Sequence, residues 1–187
     1  MRSPLILLHG ERPSAGGLIL TYTVAIFAAL VVVVRPAARP SLFLWWEIAI
    51  AALVAADLAG GVVANFTEST NHFYARKKRL RVIYLLLHLL YPLVLFFVMN
   101  GPVEIWAAIP LFTVAGALLV TALPPPVQPP VAAAVVAVGL MVAFSWHVIT
   151  PPLVWFAPLF LVKLVLGFSV QRPAAPVEPE VNQPAAK

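Results

Sequence analysis

The sequence predicts an all-α, polytopic integral membrane bundle of six transmembrane helices with both termini in the cytosol. Three observations carry that reading. Of the 187 residues, 62% are hydrophobic and only 10% charged, and the mean hydropathy is +0.97, whereas about a quarter of a soluble domain is charged. The apolar residues gather into six runs, each near the roughly 20 residues that cross a bilayer core. Basic residues then fall almost wholly on one side of the resulting topology. This composition leaves no room for a separate soluble catalytic domain. The absence of cysteine removes disulfide scaffolds, thiolate metal sites and cysteine nucleophiles.

Taken in chain order, residues 1–15 form a cytosolic N-terminal segment, residues 16–170 the transmembrane domain and residues 171–187 a disordered Pro/Ala-rich cytosolic tail. The predicted spans are about 16–34, 42–65, 82–99, 104–123, 131–149 and 153–170. The apolar stretch Leu5 to Leu8 is too short for a signal-peptide core, so the first span is expected to be retained as an anchor. Proline marks the stops: the linkers around Arg35-Pro36, Gly101-Pro102, Pro124-Pro125-Pro126 and Pro151-Pro152 place imino acids where a helix must end. A faint likeness between the two halves, with Pro92-Leu93 and Pro158-Leu159 in their third helices, has the form of an inverted repeat.

An even number of spans puts both termini on one side. That side holds Arg2, Arg12, Arg76, Lys77, Lys78, Arg79, Arg81, Arg172 and Lys187, and the other only Arg35 and Arg39. The positive-inside bias makes the richer side cytosolic, in the plasma membrane. Trp45, Trp46, Trp106, Trp146 and Trp155 then all fall at the outer interface, where indole prefers to sit. The run from Ala75 to Arg81 reads as a juxtamembrane basic cluster resting on anionic headgroups, and nucleic-acid binding is not expected.

An ionisable side chain within a span costs about 2.5–3.5 kcal/mol on insertion scales and so demands a partner, a cavity or a function. Glu47 and Asp57 in the second span, His88 in the third and Lys163 in the sixth are such residues, while Glu104 and His147 lie at span ends. At about 1.5 Å per residue, Asp57, His88 and Lys163 lie about 12, 9 and 10 Å from the cytosolic ends of their helices, a shared depth. Asp57 also leads through Gly60-Gly61 to Asn65, Glu68 and His72 at the cytosolic mouth. The expected binding pocket is therefore Asp57, Asn65, Glu68, His72, His88 and Lys163, with Asp57 accepting charge or a proton and His88 relaying it. The plainer alternative is that Lys163 snorkels to the interface and that Asp57 and His88 only tie helices together. Small residues at four-residue spacing, Ala52, Ala56, Gly60 and Ala64, predict that the second span is the central packing helix or a contact with another membrane protein or a second copy.

Several chemistries are excluded or demoted. Four histidines with no HxxxH pair do not make a membrane di-iron site, and His88 and His147 lie at opposite depths, too far apart to share a haem. No metalloprotease, serine-hydrolase or phosphate-loop motif occurs. No cofactor is specified by the sequence. Three classes of function stay open: a small-solute, ion or lipid-handling protein of the transport type, a membrane-embedded enzyme acting on a lipid-like substrate, and a non-catalytic subunit of a membrane complex.

Overall fold

The computed structural model describes residues 5–37, 43–99, 103–145 and 153–172. Their regular structure is all helical, with no strand among the described residues. A short α1 (Leu5–His9) precedes α2 (Ala15–Ala37) and α3 (Trp45–Phe66); α4 (Glu68–Ala75) and α5 (Lys78–Leu87) follow, then α6 (Leu90–Met99), α7 (Val103–Ala122) and α8 (Gln128–Ser145). The last helix, α9, runs Phe156–Leu161 and continues as a π-helical segment over Val162–Phe168.

Four segments are long and apolar enough to cross a membrane: Ala15–Val34, Trp45–Phe66, Lys78–Val98 and Pro125–Ser145. Trp106–Ala122 and Phe156–Phe168 are shorter apolar helices. Local chemistry sets several of the ends. Ser14 Oγ accepts the Gly17 amide at 3.1 Å and starts α2. Glu47 Oε2 accepts the Leu44 amide at 2.8 Å, so the acid near the start of α3 closes that helix's first turn. Glu47 is thereby a cap rather than a lone charge. Thr67 adopts extended backbone between α3 and α4 and turns the chain.

Burial divides the helices unevenly. Phe156, Phe160, Leu161, Lys163, Leu164 and Val165 on the last helix are all essentially inaccessible, because this helix is packed by α3, α7 and α8. By contrast, α2 packs chiefly on α3 and leaves Ile19, Ile26, Phe27 and Leu30 exposed, an apolar surface suited to lipid. The last helix is thus the most enclosed, while α3, the second apolar run, packs against α1, α2, α4, α6 and both parts of the last helix, the central packing role its small residues predict. The small residues of α3 are used within the chain: a Cβ on Gly60 would stand 2.9 Å from Ala25 Cβ of α2, and one on Gly167 would stand 3.1 Å from Asn65 Cβ. Close backbone approach on both sides of α3 is what its Ala/Gly pattern permits.

The N-terminal arm folds back on the bundle. Gly10 has φ +74°, and a side chain there would collide with the Ser69 backbone, so glycine is needed both for the turn and for the contact. His9 Nε2 and the Tyr22 hydroxyl lie 2.9 Å apart, and Tyr74 donates to Leu7 O at 2.7 Å. Burial pushes the Tyr74 hydroxyl above its usual range, which keeps it a donor. Of the predicted tail only Gln171 and Arg172 are among the described residues, and Trp146 and His147 lie outside them.

Candidate functional site

Two helix irregularities sit at one place in the bundle. Pro92 has no amide to offer the His88 carbonyl four residues earlier, and its ring would clash there. The third apolar run accordingly breaks at His88 and Leu89 into α5 and α6, and the Tyr91 amide reaches the His88 carbonyl at 3.2 Å instead. In the last helix the Ser169 amide skips one residue to bond Leu164 O at 3.1 Å, and Ser169 Oγ donates to the same oxygen at 2.7 Å. Such π turns are costly and recur at functional positions.

Between the two irregularities lies Asp57. Lys163 Nζ donates to Asp57 Oδ2 in an ion pair and to the Asp57 carbonyl at 3.1 Å. The lysine is sealed at 1% exposure, while 34% of the Asp57 side chain is open. Lys163 therefore does not snorkel. Gly61 makes the approach possible, because a Cβ at that position would fall inside the Lys163 side chain. The Tyr91 hydroxyl also faces the Asp57 carboxylate, and the Tyr91 ring lies 5.6 Å from Lys163 Nζ and 5.3 Å from the His88 ring.

His88 is buried, and its Nδ1–H donates to Tyr84 O at 2.7 Å. A carbonyl can only accept, so this bond places a proton on Nδ1. Nε2 has no hydrogen-bond partner among the described residues. The ring lies in an aromatic setting of Tyr84 and Tyr91, and in its neutral form it presents Nε2 as an unpartnered acceptor.

One end of the site is closed by a polar clasp. Asn65 Nδ2 donates to Lys163 O at 3.3 Å, and Asn71 Nδ2 donates to Val170 O at 2.8 Å. Arg81 Nη2 donates to Phe168 O at 2.6 Å and to Ser169 O. Arg172 reaches Asn65 O at 3.1 Å and Leu166 O at 3.3 Å, with its guanidinium 4.2 Å from the Phe66 ring. These groups satisfy carbonyls that a helix end leaves without partners, and they stitch the last helix to α3, α4 and α5. Arg81 thus departs from its basic run: it is 1% exposed and turned inward, whereas Lys78 and Arg79 are exposed.

Of the six expected pocket residues, Asp57, His88 and Lys163 meet, and Asn65 flanks them. Glu68 and His72 lie elsewhere, 3.7 Å apart on α4, in a polar cleft of about 630 Å³ between the N-terminal arm and α4. No group of three His, Asp or Glu suited to hold a metal occurs among the described residues. Asn71, Tyr91, Arg81 and Arg172 were not singled out by sequence reasoning. For Tyr91 a signal existed in Pro92, which frees the carbonyl of His88. For the two arginines none did, since a basic residue beside a span normally faces headgroups.

No protein-family model matches the chain, and neither a curated protein nor a solved structure matches it.

Proposed function

We propose that the chain is a six-pass protein of the plasma membrane, with cytosolic termini, that handles a small solute, ion or lipid in the manner of a transporter. Asp57 is the proton or charge acceptor, Lys163 its counter-charge and His88 the relay. One observation carries this reading: a buried ion pair, sealed at its lysine and open at its aspartate, stands beside an imidazole whose Nε2 has no hydrogen-bond partner among the described residues. Such a group of ionisable residues within apolar helices is expensive and characteristic of ion and proton pathways.

The broken helix at His88 and the π turn after Lys163 support the same reading, since discontinuous helices free backbone groups at the sites of transporters. Protonation of Asp57 would cancel its attraction for Lys163 and leave a buried ammonium in need of another partner. That is a two-state element which a proton and a second ligand both bias.

The test is reconstitution into liposomes enclosing a pH-sensitive dye, with imposed gradients of protons, Na⁺, K⁺ or Cl⁻. Wild-type vesicles are expected to show gradient-dependent proton movement, which Asp57→Asn and His88→Ala abolish while both variants still insert and fold. Proton movement equal to that of empty vesicles, or variants that fail only because they unfold, would reduce the pair to a helix lock.

A further inference from the structure

The cleft that holds Glu68 and His72 is separate from the buried ion pair, and its charges do not balance. It is lined by Arg12, Arg76 and Lys77 against Glu11 and Glu68, together with Ser14, Thr67, Ser69, His72 and Phe73. Lys77 Nζ stands 3.8 Å from Glu11 Oε1, while Glu68 Oε1 faces the His72 imidazole, with Nδ1 at 3.7 Å, so three cations face two carboxylates and the cleft keeps a formal excess of one positive charge with His72 neutral. Lys77 is further held over the Phe73 ring at 3.5 Å. Two guanidiniums, those of Arg12 and Arg76, are left with no carboxylate partner among the described residues.

Hydroxyls add donors. Ser69 Oγ accepts the Arg12 amide at 3.0 Å and Ser14 Oγ accepts the Gly17 amide at 3.1 Å. Each serine has thus used acceptor capacity and keeps its O–H to donate. The Ser69 bond also fixes the arm that carries Arg12 against α4. Two guanidiniums lining one cavity of about 630 Å³, with serine hydroxyls able to donate, match a phosphate group: several acceptor oxygens, more than one negative charge and a preference for planar forked donors.

We infer that this cleft is a binding site for a phosphate-bearing anion, gripped by Arg12 and Arg76 with Ser14 and Ser69 as hydrogen-bond donors. The phosphate is either free or the headgroup of an anionic lipid. The site is distinct from the diffuse attraction of the whole basic run to a charged surface, because it needs Arg12, which lies far away in sequence on the N-terminal arm. It does not rest on the transport reading.

The experiment is isothermal titration of the full-length protein in mild neutral detergent with two probes, inorganic phosphate and a water-soluble short-chain phosphatidic acid. Saturable one-to-one binding of at least one probe is expected. It should weaken at least ten-fold in Arg12→Gln/Arg76→Gln and stay within two-fold in Lys78→Gln/Arg79→Gln, a change of equal charge in exposed residues outside the cleft. Both double variants change exposed side chains, and an unaltered thermal melt verifies that they fold. Phosphate binding as tightly as the lipid assigns free phosphate, and binding of the lipid alone assigns the headgroup. Absence of saturable binding to either probe, or equal loss in the two doubles, overturns the site.

Discussion

Asp57–Lys163 and Glu11–Lys77 are both lysine–carboxylate pairs, yet they belong to opposite electrostatic regimes. In the first, the ammonium is 1% exposed, is gripped by a carboxylate and a carbonyl, and sits where Gly61 has made room. In the second the partners are 3.8 Å apart, with side chains 34% and 55% exposed. Water answers either charge of the open pair if its partner is lost, but cannot do so for Lys163. The difference shows that the cost of breaking an ion pair is set by what can replace the partner, more than by the pair's own attraction.

The largest test of this contrast is Asp57→Ala, which abandons a sealed ammonium. A loss of about 3–5 kcal/mol is expected from unfolding in detergent, and the double Asp57→Asn/Lys163→Met should recover most of it. A double as unstable as the single would mean that shape rather than charge compensation holds the site.

Arg81→Ala comes next, because it strips the carbonyls of Phe168 and Ser169 of a charged donor in a buried setting. The expected loss is about 2–3 kcal/mol, with increased hydrogen exchange confined first to the end of the last helix. Unchanged protection there would show that the clasp is not what secures the π segment.

Gly61→Ala sharpens the comparison from the steric side, since it pushes Lys163 off Asp57 without removing either charge. About 1–3 kcal/mol is expected for overpacking, and proton movement in liposomes should fall along with it. Retained flux would separate the pair's structure from its role.

The N-terminal arm offers a pH readout. Burial lowers the His9 pKa from its ordinary value of 6.5, so the folded arm binds a proton less readily than the unfolded one. Its contribution is full above pH 6.5 and is lost as pH falls through the lower folded value. Exchange protection of the Leu7 to Gly10 amides, measured between pH 7.5 and 4.5, should fall on the acid side, and His9→Gln should flatten the profile. Smallest of all, Lys77→Ala should shift stability by roughly 0–1 kcal/mol, measured beside Asp57→Ala in the same detergent.

Much of this architecture was legible in the chain. Long apolar runs and the few ionisable residues within them follow from hydrophobic length, which can be counted, whereas proline was a weaker stop than expected: α2 runs through Pro36, and α8 opens on Gln128-Pro129-Pro130, where a proline in a helix's first turn forfeits no hydrogen bond. The span expected unbroken over 82–99 is instead divided at His88 and Leu89, where Pro92 has no amide for the His88 carbonyl. What could not be counted was side-chain direction around each helix axis: Glu68 and His72, near Asp57 in sequence, turn into a different cleft once Thr67 bends the chain. The same limit hid the inward turn of Arg81, whose sequence neighbours Lys78 and Arg79 are exposed.

By itself, then, the sequence determined that the chain is helical and apolar enough for a membrane, and which few ionisable residues fall within its apolar runs. Those properties depend on composition and on interactions between near neighbours. Only the tertiary structure decided where the helices break, that Lys163 is sealed against Asp57 with Gly61 as its seat, that His88 Nε2 stays without a hydrogen-bond partner among the described residues, and that Arg81 and Arg172 join a clasp while Arg12 and Arg76 line an open cleft. The reason is physical: whether a charge is paired, capped or exposed depends on contacts between residues as many as 107 positions apart, as in Arg172 on Asn65, and no local pattern records which helices will meet.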